Sequence, residues 1–134
     1  MTIDGKVINY IAKAGMLPIL KADGKPSAQV FHTVYTLKDA PDAANRPVTF
    51  CFNGGPGSSS VWLHLGAFGP KRVDLPVDGL TPPLPPGNLK PNQYSILDAT
   101  DLVFIDPVST GFSRPEDLAK AGEFYGVQED IDAV

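Results

Sequence analysis

Residues 47–65 read PVTFCFNGGPGSSSVWLHL, and the parsing of this stretch decides the fold. Residues 47–52 are a short apolar run rich in β-branched and aromatic side chains, the pattern of a strand buried on both faces. Asn53-Gly54-Gly55-Pro56-Gly57 follows at once and is turn chemistry. Residues 58–65 fit a short helix, with three serines at its start available as N-caps. Two adjacent glycines directly after a buried strand permit positive φ and let another group approach the backbone closely. A helix start just beyond aims free N–H groups and partial positive charge at the same corner. Such a corner suits an anion, either a phosphate or a developing oxyanion. The phosphate option fails, because a P-loop needs Gly-Lys-Ser/Thr and no lysine lies between Asn45 and Pro70; G-x-G-x-x-G does not match either. A tight strand-to-helix turn with no chemistry would use the same residues.

Outward from this corner, residues 101–105 (DLVFI) read as a second buried strand, ended by Asp106-Pro107. Residues 6–12 (KVINYIA) and 29–37 (QVFHTVYTL) alternate and predict a hairpin pair. Residues 66–91 hold six prolines after Arg72 and are expected to be mostly loop, functional or lid-like. Residues 126–134 (GVQEDIDAV) predict a helix with acids in its first turns. This order predicts an α/β sheet that is unfinished where the chain stops, so the chain reads as a piece of a larger domain.

Composition narrows the classes further. The 13 glycines and 14 prolines are so spread that residues 27–40 and 92–106 are the longest stretches free of both, and neither has helical periodicity. A helix bundle is thereby excluded. Dense apolar runs, in a chain 43% hydrophobic, exclude low-complexity disorder. Fifteen acids against 11 bases give a net charge of −4, which argues against a nucleic-acid partner. No Lys/Arg run exists to hold an anionic membrane, and no apolar run approaches the ~20 residues of a membrane helix. Residues 1–20 lack the pattern of a signal peptide. A single cysteine, Cys51, excludes a disulfide scaffold and a cysteine zinc site.

Residues 52–60 (FNGGPGSSS), then Gly69-Pro70, then residues 101–114 (DLVFIDPVSTGFSR) resemble the serine carboxypeptidase family of the α/β-hydrolase fold, in its order and at about its spacing. The resemblance implies an incomplete α/β-hydrolase sheet over residues 1–134, one domain cut before its nucleophile strand. It also implies that the Gly55 N–H donates to an oxyanion hole, and that Asn53 and Gly54 hold the terminal carboxylate of a peptide substrate. The implied chemistry is acyl transfer with no cofactor or metal: a serine attacks the last peptide bond, a histidine acts as base and an aspartate orients it. Secretion or a periplasmic location is implied as well. Two positions depart from the family pattern. Ser58 stands where a disulfide cysteine is common, which suggests a bacterial-type branch. Ala67 stands where a carboxylate-binding glutamate is common, which leaves esterase and acyltransferase variants open.

The triad of this fold runs Ser, Asp or Glu, His, with the serine in G-x-S-x-G, and that motif does not occur. Ser109, in PVSTG after a strand, is the nearest decoy; no histidine follows it, since the two present are His32 and His64. His32 is expected to pack or face solvent. His64 is expected to pack behind the turn. Cys51 is expected to be a buried structural thiol, and Trp62 divides between core and pocket wall. Asp106, Glu116, Asp117, Glu123, Glu129, Asp130 and Asp132 form no metal pattern with histidine and read as solvated or capping. The PPLPP run of residues 82–86 reads as a rigid loop. The chain alone is therefore expected to be inactive, and to self-associate through an unpaired edge of residues 101–105. A non-catalytic binding or structural module is the rival reading.

Overall fold

The computed structural model describes all residues except 54–56, 77, 79 and 82–84. Two short strands, β1 (Thr2–Ile3) and β2 (Lys6–Val7), pair at the start of the chain. The main hairpin is β3 (Tyr10–Leu20) against β4 (Pro26–Leu37), closed by a turn in which Asp23 accepts the Lys25 N–H at 3.0 Å. The hairpin forms as expected, but its first strand begins four residues later and extends eight residues beyond residue 12. Pro18 interrupts the sequence pattern without breaking the strand, because β3 has a ladder partner on one side only.

β5 (Val48–Cys51) leads through the turn to α1 (Val61–Leu63), which continues into a π-helical turn at His64–Phe68. β6 (Lys71–Val73) and β7 (Leu89–Pro91) form a small antiparallel ladder inside the stretch expected to be loop. The PPLPP run lies partly outside the described residues. β8 (Asp101–Ile105) then runs parallel to β5, giving the α/β unit that the sequence predicts. β9 (Arg114–Pro115) pairs with the start of β4, a 3-10 stretch covers Leu118–Phe124, and α2 (Val127–Ala133) forms as expected with Glu129 and Asp130 in its first turn. Among the described residues no helix is long and apolar enough to cross a membrane.

The main sheet has the order β3-β4-β8-β5. This corrects one expectation: β8 pairs on both sides, antiparallel to β4 and parallel to β5, so its edges are not open. Among the described residues, the free edge on this side of the sheet belongs to β5. Burial corrects a second expectation. Cys51 is buried, yet Val48, Phe50 and Phe52 are 50%, 60% and 51% exposed, so the apolar run is covered on one face only.

Alternation along β8 sends Leu102 and Phe104 to one face of the sheet, where they pack with Ile3, Ile8, Cys51 and Leu97. Ile105 joins Ala28, Val30 and Val108 in a second, smaller cluster. The sheet is pinned at the start of β8 by Asp101, whose Oδ1 accepts from Arg46 Nε at 2.7 Å and from the Leu37 N–H at 3.0 Å.

Candidate active site

The carboxyl ends of the parallel strands β5 and β8 lie side by side, and the loops leaving them form the candidate site, the place where open α/β sheets bind ligands. Asn53 leaves β5 and its Nδ2 donates to Ser58 Oγ at 2.9 Å. Gly54 and Gly55, the expected carboxylate-binding and oxyanion-hole positions, lie outside the described residues, as does Pro56. On the far side of the turn Gly57 has φ +97°, the left-handed backbone that glycine tolerates.

The serines do not cap the helix as expected. Ser60 occupies the N-cap of α1, but its side chain accepts nothing from the helix. Instead its N–H and its Oγ both donate to Asp106 Oδ1, at 2.9 and 2.8 Å. Asp106, expected to be solvated or capping, is 6% exposed at the end of β8. No local signal marks it, because the Ser60 donors that it takes lie 46 residues away in the chain. Glu116 and Asp117 do behave as read, one binding the Gln29 amide and the other the Ala119 N–H, and among the described residues no acidic, His or Cys cluster could hold a metal.

The loop after β8 contributes Ser109, with φ +71° and a buried Oγ that has no hydrogen-bond partner among the described residues. Ser109 and Asn53 share a cleft of about 570 Å³, whose apolar walls include Val108, Phe124, Val127 and Ile131. Neither histidine lines it. His64 turns away: Tyr35 Oη lies 2.7 Å from its Nε2 and its ring stacks on Phe104 at 4.5 Å. His32 is on β4, against Gly15. Among the described residues, Ser109 therefore shares this cleft with neither histidine. Cys51 is buried and its thiol pKa is raised by that burial, as an inert structural thiol requires. Trp62 is 69% exposed on α1, which removes it from the core.

Burial lowers the His64 pKa below its ordinary 6.5, with the nearby Asp106 charge acting the other way. The unfolded chain therefore takes up this proton first as pH falls, and stability should decline from pH 6.5 downward while remaining full above it. Urea unfolding of the wild type and His64→Gln between pH 7.5 and 5 checks this: the gap between their midpoints should narrow on acidification. A constant gap would exclude His64 as the source.

A sequence model of the serine carboxypeptidase family matches residues 9–128. The chain is 33% identical over 105 residues to the pheromone-processing carboxypeptidase of Saccharomyces cerevisiae, covering 75% of this chain and 13% of that protein. It is 30% identical over 128 residues to carboxypeptidase Y homolog A of Arthroderma otae, covering 83% of this chain and 21% of that protein. The crystal structure of a prohormone-processing carboxypeptidase from Saccharomyces cerevisiae aligns with a TM-score of 0.59 at 33% identity, covering 75% of this chain and 20% of that one. The chain thus spans about a fifth or less of the length of these relatives.

Proposed function

We propose a function from one premise: the chain belongs to the serine carboxypeptidase family. In this reading residues 1–134 are the N-terminal part of a single α/β-hydrolase domain that removes C-terminal residues from peptides. Asn53 and Gly54 hold the substrate's terminal carboxylate, and the Gly55 N–H stabilises the oxyanion of the tetrahedral intermediate. The attacking serine, its histidine base and the orienting aspartate come from outside residues 1–134. The division of labour is physically sensible. Covalent catalysis needs a hydroxyl with a positioned base, whereas an oxyanion hole contributes only once a nucleophile is placed. The protein works without metal or cofactor, outside the cytosol, as a bacterial-type member marked by Ser58; fractionation of expressing cells checks the location.

The observation that carries this reading is Asn53 itself. Its side chain stands at the end of β5, hydrogen-bonded to Ser58 and facing the cleft. Ala67 supplies no second carboxylate-binding side chain, and this favours an esterase or acyltransferase as the alternative.

The test compares peptides bearing a free C-terminal carboxylate with simple esters in the whole enzyme. Asn53→Ala should weaken use of the free acids by about 1–3 kcal/mol in transition-state terms and leave esters nearly unchanged. Equal losses on both would make Asn53 a scaffold residue. In the control arm, the 134-residue chain should not react with a serine-directed phosphonate. Labelling at Ser109 that disappears in Ser109→Ala would overturn the placement of the nucleophile.

A further inference from the structure

We propose that Asp106 is a positioning residue for this site: its buried carboxylate, acting through Ser60 and Ser58, fixes the Asn53 side chain. The inference rests on the role proposed for Asn53.

The carboxylate is rigidly mounted. Asp106 donates its N–H to Phe31 O at 3.0 Å, and its own carbonyl accepts from Ser113 Oγ at 2.6 Å. Ser113 is fully buried and also accepts the Phe31 N–H, so the end of β8 is locked to β4. The following loop wraps the acid, and a side chain at Gly111, where φ is +48°, would collide with Oδ2.

From this mount the acid reaches across to the other loop. A carboxylate is purely an acceptor, so one oxygen can take both donors of Ser60, and charge-assisted bonds of this kind are the stronger sort. Ser60 is 4% exposed, which leaves its N–H and hydroxyl no alternative partner in water. Its carbonyl accepts the His64 N–H at 2.8 Å and starts α1. Two residues earlier, Ser58 Oγ accepts the Asn53 amide. The rigid end of β8 is thus connected by hydrogen bonds and two peptide units to the side chain at the end of β5. Without the carboxylate, Ser60 would have to move toward solvent to satisfy its donors, and Ser58 would move with it.

The experiment measures KM and kcat of the whole enzyme on a free-acid peptide and on an ester. Asp106→Ala should raise KM for the free acid about tenfold relative to the ester. Asp106→Asn keeps the acceptor oxygen and should recover most of that loss. Ser60→Ala, which keeps the N–H bond, should fall between. In the Asn53→Ala background Asp106→Ala should add no further loss of free-acid preference, as expected for residues acting through one another. An unchanged preference in Asp106→Ala, or full additivity of the two losses, would overturn the proposal. If Asp106→Ala does not fold, Asp106→Asn and Ser60→Ala decide it in the same assay. If the wild type shows no preference for free acids, the functional reading fails on its own. The Asn53 side-chain amide signal of the 15N-labelled chain then decides the positioning role: a shift in both Asp106→Asn and Ser60→Ala supports it, and no shift overturns it.

Discussion

Phe104→Ala is expected to cost about 3–5 kcal/mol of stability, the range for removing a large buried aromatic side chain. Phe104 is 1% exposed at the centre of the larger apolar cluster. It meets Tyr35 edge-on at 6.0 Å and carries the stacked His64 ring. Truncation would open a cavity beneath both rings and loosen the Tyr35–His64 hydrogen bond as well. A domain of this size holds about 5–15 kcal/mol in total, so the variant loses roughly a fifth of it or more. Urea unfolding followed by near-ultraviolet circular dichroism checks this, with Phe104→Leu expected to lose far less. A loss below about 1 kcal/mol would mean that this cluster is not the core.

The second large effect is expected in association. Among the described residues β5 has an unpaired backbone edge, with Val48, Phe50 and Phe52 exposed beside it and no charge within residues 47–52. The outer strand at the other end of the sheet, β3, is guarded by Lys13 and Pro18, two devices that discourage edge-to-edge pairing. Sedimentation of the 134-residue chain should show mass rising with concentration. Phe50→Lys should hold it as a monomer, because a lysine on the edge resists being buried in a second ladder. An identical concentration dependence in the variant would move the contact elsewhere.

What the sequence revealed follows from the range of the forces involved. Strands β4, β5 and β8 are marked by local alternation or by apolar runs, and the start of α2 by its acids, so each is legible from its own residues. The order of strands is not local. Nothing within residues 101–105 says that they enter between β4 and β5, and so the free edge is assigned to the wrong strand. β3 is shortened in the reading because Gly15 and Pro18 weaken its pattern, whereas the ladder with β4 sustains it. β6 and β7 lie 16 residues apart among prolines, too far for a turn signal to connect them. At the site, the corner after β5 is legible from its glycine-rich turn, and Asn53 enters only through the family resemblance. The Asp106 contact is not legible, because its partner Ser60 lies 46 residues away and only the folded sheet brings them together.

The central position of β8 has a temporal consequence. On the ribosome the chain emerges in order, so the β3–β4 hairpin and β5 are complete while residues 101–105 are still to be made. At about 5–20 residues per second, the ~50 residues between the end of β5 and the start of β8 take roughly 3–10 s. Throughout that interval the edges of β4 and β5 that will face β8 lack their ladder, and the carboxylate that anchors Ser60 does not yet exist. The strand that joins β4 to β5 arrives after both of them, and until then the nascent chain is exposed to misassociation and to capture by chaperones.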